Sequence, residues 1–157
     1  MHPILRFNIR VYGILFNEKQ QVLLADEVFK SGIRATKFPG GGLELGEGIA
    51  DCLIREFKEE AGIHISLKEH FYTNDFFVPS FFDSESQIIS IYYIVHSNEH
   101  HLIRTATQKF NFETAPGQEA ESFRWVSIHD LVQEDHITLP IDKVVVKKLL
   151  ESMKRAD

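Results

Sequence analysis

Residues 41–63, GGLELGEGIADCLIREFKEEAGI, decide how this chain is read. The piece from Gly46 to Ala61 has helical character, and Gly62 is its stop signal, because glycine enters the left-handed backbone region without strain. At about 100° per residue, Ala50, Leu53, Ile54, Phe57 and Ala61 gather on one side, which predicts a core-facing stripe. Glu56 and Glu60 stand four apart, one above the other, and Glu59 flanks them. Like charges so placed destabilise a bare helix, so something must offset them. Clustered hard oxygen donors suit Mg²⁺ or Mn²⁺. Glu44 and Glu47 lie in the glycine-rich turn that enters this helix and approach the same ions from the other side.

Written as spacings, the stretch is Gly41, five residues, Glu47, seven residues, then Arg55-Glu56-Phe57-Lys58-Glu59-Glu60-Ala61-Gly62-Ile63. It resembles the box of the Nudix family, G-x5-E-x7-R-E-U-x-E-E-x-G-U, with U a bulky aliphatic residue. Every fixed position is filled. The one departure is Phe57 at an aliphatic position, read as a packing variant because it points to the core. A glutamate-rich helix alone is usually a solvated face. The full spacing and the preceding Phe38-Pro39-Gly40-Gly41-Gly42 loop overturn that reading. The resemblance implies that Glu56, Glu59 and Glu60 bind divalent cations, with Glu44 and Gly40 completing the candidate ligand set. Glu59, Glu56 and Arg55 are the implied catalytic residues in the box. Gly41, Glu47 and Gly62 support them, and Arg55 pairs with a box glutamate.

The rest of the chain agrees with a soluble enzyme. Its 157 residues are one domain's worth, 43% hydrophobic and 25% charged. A net charge of −6 argues against a duplex nucleic-acid surface. An acidic protein that handles phosphates needs cations between the two, which fits a metal site. The single cysteine, Cys52, forms no intrachain disulfide and is read as a small filler between the apolar and acidic arcs of the helix. Met1-His2-Pro3 lacks the basic start and apolar run of a signal peptide, and no apolar run is long enough for a bilayer. A cytoplasmic protein is expected.

In chain order, Ile4 to Phe16 and Gln21 to Phe29 read as strands around the turn Asn17-Glu18-Lys19-Gln20, and together they predict a hairpin. The following loop carries Lys30, Arg34 and Lys37. Arg34 and Lys37 are candidates to meet a substrate phosphate, which guanidinium in particular suits. Thr36 to Pro39 is a short strand feeding the glycine turn, which is no P-loop because the Gly-Lys-Ser/Thr ending is absent. Residues 63–78 are strand-rich. Phe71, Tyr72, Phe76, Phe77, Phe81 and Phe82 are mostly packing residues by type, and Phe76 is the candidate to stack a nucleobase. Residues 84–87 form a turn, and Ile88 to His96 is a clear strand. Residues 98–116 form a polar loop that is expected over the cleft. His96, His100 and His101 lie near it, but nothing in their spacing supports zinc. Glu119 and Glu121 precede a short strand through Trp125, Ile128 to Val132 forms a short helix, and Leu139 to Arg155 an amphipathic one. The pattern is α+β with a helix on at least one face of a mixed sheet. The resemblance implies an α/β/α sandwich, with the box helix and the C-terminal helix on its faces, and a homodimer.

Family membership implies hydrolysis of a nucleoside diphosphate linked to another moiety, with a small-molecule nucleotide as substrate and Mg²⁺ or Mn²⁺ as cofactor. Family members take the general base from the box helix or from a later glutamate, and here Glu119 is preferred over Glu121, which is expected to face solvent. Pro79, sixteen residues beyond Ile63, is similar to a pattern in ADP-ribose-type members. The fuller arginine pattern of the coenzyme A type is missing, and Phe81 stands where dinucleoside polyphosphate types carry tyrosine. Nucleoside triphosphates, an RNA 5′ end and a non-catalytic ligand-binding module are the competing readings.

Overall fold

A computed structural model describes residues 2–112, 117–132 and 136–156. Strand β1 (Arg6–Leu15) and β2 (Gln21–Val28) are followed by the short β3 (Arg34–Lys37) and β4 (Gly40–Gly42). Helix α1 (Ile49–Ala61) then leads to β5 (Ser66–Thr73), β6 (Ser86–His96), β7 (Ala120–Ser127) and helix α2 (Pro140–Ala156). Short 3₁₀ turns lie at His100–Leu102 and Ile128–Val132.

The strands form two sheets. One has the order β4-β1-β6-β5 and is mixed, since β1 and β6 run parallel; the other is β3-β2-β7 and antiparallel. The predicted hairpin is therefore corrected. The turn at Asn17 is present, with its side-chain oxygen accepting from the Lys19 and Gln21 amides. However, the strand pairing between β1 and β2 is limited to the Phe16–Val22 bridge, and they then run into different sheets. The long-range partners β6 and β7 capture the two strands.

Strand alternation sorts side chains into two cores. Val11, Leu15, Leu23 and Ala25 pack with Cys52, Leu53, Phe57 and Ile63 on the α1 side. Tyr12, Ile14, Val22, Leu24, Phe38 and Tyr92 pack with Ile141, Val145, Val146 and Leu149 of α2 on the other. Helices therefore cover both sides of the β layer, as expected of an α/β/α sandwich. The α1 stripe is rotated from its expected position. Cys52 is fully buried, whereas Ala50 and Ile54 are exposed.

The box helix starts later than predicted, at Ile49. Gly46 has φ +89°, which no helix tolerates, and the Glu47 carboxylate is used in the turn itself, accepting from the Glu44 amide at 2.9 Å. Gly62, at φ 70°, ends the helix as read. The short strand expected at Thr36 to Pro39 sits earlier, and β6 begins at Ser86, inside the expected turn. Phe71 and Tyr72 pack on the core, whereas Phe76, Phe77, Phe81 and Phe82 are exposed. The 98–116 stretch was expected over the cleft. Its described part bridges Thr105 to Phe123 and donates the Phe110 amide to Asp26 at 3.2 Å; residues 113–116 lie outside the described residues. Among the described residues no helix is long and apolar enough to cross a membrane.

Candidate active site

Arg55 stands at the centre of the box. Its guanidinium grips Glu47 with two prongs, at 2.8 and 3.0 Å, and reaches Glu56 at 3.0 Å, Glu59 at 3.2 Å and the Gly42 carbonyl at 3.2 Å. Glu44 lies further off, at 3.8 Å. One cation thus binds four carboxylates from the turn and the helix, and this offsets the repulsion that the sequence poses. The hydrogen bonds from Arg55 hold the Glu47 carboxyl down at about 2.

The glycines at this end are required by contact. A Cβ on Gly41 would overlap the Glu56 carboxylate, so the first glycine of the box leaves room for a glutamate fifteen residues later. Gly40 has φ +147°, and a Cβ there would run into the Val11 carbonyl. Chain crossing from β3 to β4 at Pro39 brings the Gly40 carbonyl to the Lys37 ammonium, 3.4 Å away.

A second group of carboxylates gathers on the α1 face of the three-stranded sheet. Glu27 from β2, Glu121 from β7 and Glu60 from α1 place oxygens within 4.8 Å of one another. Glu56 joins the two groups, touching Arg55 on one side and Glu60 on the other. The cluster lines a cavity of about 360 Å³ together with Val28, Phe29, Glu119 and Ala120. Lys37 is buried within it, its Nζ 3.1 Å from Glu27 and 3.4 Å from the Gly40 carbonyl. Burial works against the Lys37 charge, yet Glu27 and its neighbours hold the ammonium above its ordinary range. Burial first, and then the nearby negative charges, push Glu60 up to about 7. Glu121 is pushed up to about 10 by burial and by its hydrogen bond with Glu27, which is itself held low, so the pair shares a proton that resides on Glu121.

The expected site residues divide accordingly. Glu44, Glu47, Glu56 and Glu59 surround Arg55, while Glu60 turns into the cavity. Glu119 lines the cavity and is exposed; Glu121, expected to face solvent, is the more buried of the two. Lys37 is engaged with Glu27. Arg34 pairs in register with Val28, on the face of the sheet away from Glu27, where its guanidinium lies 5.4 Å from the Phe110 ring centre. Neither Phe76 nor Pro79 lines the cavity, and Pro79 bridges to Gln87. The ring that reaches the rim is Phe82, whose centroid lies 4.5 Å from that of Phe29. Glu27 was missed in sequence. Its signal was an acidic pair, Asp26-Glu27, closing an otherwise apolar strand.

The site is thus an α/β/α layer with a group of carboxylates gathered beside a glycine turn. The NUDIX domain model matches residues 6–149, and the chain belongs to the Nudix family. It is 40% identical over 57 residues to an RNA pyrophosphohydrolase of Ruthia magnifica subsp. Calyptogena magnifica, a match covering 34% of this chain and 30% of that protein. It is 39% identical over 54 residues to the human 8-oxo-dGDP phosphatase NUDT18, covering 34% of this chain and 17% of that protein. Both matches thus span under a third of the relatives' lengths. The MutT protein of Methanosarcina mazei Go1 superposes with a TM-score of 0.66 at 20% identity, over 98% of this chain and 99% of that one, and shares the fold.

Proposed function

We propose that this chain is a divalent-metal-dependent pyrophosphohydrolase that cleaves a phosphoanhydride in a nucleoside diphosphate linked to another moiety, or in a nucleoside triphosphate. The observation that carries this reading is the convergence of Glu56, Glu60, Glu27 and Glu121 beside the Gly40 carbonyl in one cleft. Such all-oxygen donors fit Mg²⁺ or Mn²⁺, and Glu56, Glu59, Glu60 and the Gly40 carbonyl are the residues assigned to hold it, with Glu44 at the edge. Bound there, the cations neutralise the anhydride oxygens and lower the pKa of coordinated water.

The chain's own residues do the rest. Arg55 fixes the carboxylates of the box against mutual repulsion. Gly41 admits Glu56 to the cleft. A carboxylate must take the proton of the attacking water. Glu119 is assigned that role, because it lines the cavity beside the carboxylate group.

The test is a substrate panel with Mg²⁺ and with Mn²⁺, reading released phosphate. The panel holds ADP-ribose, nucleotide sugars, dinucleoside polyphosphates, NADH, canonical and oxidised nucleoside triphosphates, and a 5′-triphosphorylated RNA, the last prompted by the Ruthia relative. Metal-dependent turnover of one class is expected, with Glu59→Gln and Glu60→Gln each lowering kcat by orders of magnitude. A flat panel from folded, metal-binding protein would move the reading to a ligand-binding module.

A further inference from the structure

Neither basic residue expected to meet a substrate phosphate is placed to do so: Arg34 is on the far face of its sheet, and Lys37 is paired with Glu27. A third cation is. Arg10 lies on β1 opposite Gly42 of the box turn, half-buried. Its Nε donates to the Tyr12 hydroxyl at 3.2 Å, and its guanidinium carbon lies 5.9 Å from the Tyr12 ring centre. The Lys37 ammonium lies 5.4 Å from the centre of the same ring, so one tyrosine links Arg10 to the lysine that pairs with Glu27 at 3.1 Å. Gly42 leaves the space that the guanidinium occupies, since a Cβ there would stand 3.1 Å from its Nη1.

Arg10 differs from the other cations packed into the core and cleft. Lys37, Arg55 and Arg124 each have a carboxylate partner at 3.1 Å or closer. Glu56 and Glu27 are near enough to act on Arg10 electrostatically, but Arg55 holds the first and Lys37 the second. Among the described residues Arg10 makes no ion pair, and its one hydrogen-bond partner is Tyr12. A guanidinium carries five N–H donors in a fixed fork. Four of them are left over, in a half-buried position where arginine ordinarily has a partner. A fork of this kind matches the oxygens of a phosphate.

We propose that Arg10 binds a phosphate oxygen of the substrate, on the side of the cleft away from the Arg55 cluster, and so sets the affinity for the diphosphate group. This rests on the reading of the cleft as a phosphoanhydride site. Arg10 takes no part in bond cleavage, so its loss weakens binding and spares turnover.

The test uses inorganic pyrophosphate titrated calorimetrically into the protein with Ca²⁺ present. Arg10→Ala is expected to weaken pyrophosphate binding by about tenfold to a hundredfold, as loss of a charged hydrogen-bonding partner does. Arg10→Lys is expected to recover part of that loss. Binding of Mn²⁺ alone and the urea midpoint should stay at wild-type values in both variants. With whichever nucleotide the panel identifies, KM should rise by a similar factor while kcat changes less than about threefold. Wild-type pyrophosphate affinity in Arg10→Ala overturns the proposal, as does a wild-type protein that binds Ca²⁺ but no pyrophosphate. A parallel loss of Mn²⁺ binding also overturns it, because Arg10 would then act only through the shape of the site. A flat substrate panel with the tenfold loss of pyrophosphate affinity intact would sink the hydrolase reading and leave the anion site standing.

Discussion

Arg55 and Glu47 are eight residues apart in sequence and meet as a two-pronged ion pair at 2.8 and 3.0 Å. The same guanidinium spans Glu56 and Glu59, so its planar fork, and not only its charge, arranges the box. Lysine supplies one ammonium and cannot meet all of these oxygens at once. Arg55→Lys should therefore lower kcat at least tenfold while circular dichroism stays native. Equal turnover in the two proteins would show that charge alone suffices.

Gly40 and Gly41 are neighbours with different burdens. At Gly40 both φ +147° and the Val11 carbonyl oppose a side chain, so Gly40→Ala should lower the thermal midpoint and the yield of folded protein. At Gly41 the obstacle is the Glu56 carboxylate, the movable end of a side chain. Gly41→Ala should fold, bind Mn²⁺ more weakly and lose kcat. Measuring melting and Mn²⁺ affinity for both variants separates the two effects.

The two late glutamates should also part company. Glu119→Gln should lower kcat about a hundredfold or more with Mn²⁺ affinity retained, as expected of a general base. Glu121→Gln removes a member of the Glu27–Glu60 group and should weaken Mn²⁺ binding as well. The reverse pattern would transfer the base role to Glu121.

Without metal, Glu60 carries its proton up to about pH 7, because burial and its negative neighbours disfavour the charge. A folded-state pKa raised above the unfolded value means that this group's stability contribution is whole below about 4.5 and is lost as pH rises through about 7. The metal-free protein should accordingly melt at lower temperature at pH 8 than at pH 5. Metal must displace that proton, so Mn²⁺ affinity should rise between pH 6 and pH 8, with proton release visible by calorimetry in buffers of different ionisation enthalpy. Glu60→Gln should flatten the affinity profile.

The box was legible because its chemistry is local. Spacing along one helix and one turn fixes which side chains share an arc, and Arg55, Glu56, Glu59 and Glu60 sit where that spacing puts them. Glu27 was not legible, since it reaches Glu60 and Glu121 only through the register of β2 against β7. Arg34 and Lys37 looked alike in sequence, but an odd spacing on a strand sends them to opposite faces. The turn at Asn17 was read correctly and its pairing was not. A hairpin is the local solution, while the ten-residue parallel ladder of β1 with β6 joins segments some eighty residues apart. The late start of α1 reflects a competing use of Glu47, whose carboxylate is bonded to the Glu44 amide and to Arg55.

Asp26 and Arg124 form the buried ion pair on the opposite face of the same strand that presents Glu27. Asp26 is fully buried and accepts from Arg124 Nε at 2.5 Å, Arg124 Nη2 at 3.0 Å, the Thr36 hydroxyl at 2.7 Å and the Phe110 amide at 3.2 Å. It thereby ties β2, β3, β7 and the loop at Phe110 into one unit. Removing one partner of such a pair leaves an uncompensated buried charge and costs about 3–5 kcal/mol, whereas replacing both can be close to neutral. Arg124→Met should therefore lower unfolding free energy in urea by about that amount, and adding Asp26→Leu should recover part of it. If the pair only supports the fold, residual folded Arg124→Met protein will keep wild-type KM and kcat. A kcat loss in that folded fraction would instead show that the register of β2 against β7, which aligns Glu27 with Glu121, depends on this pair.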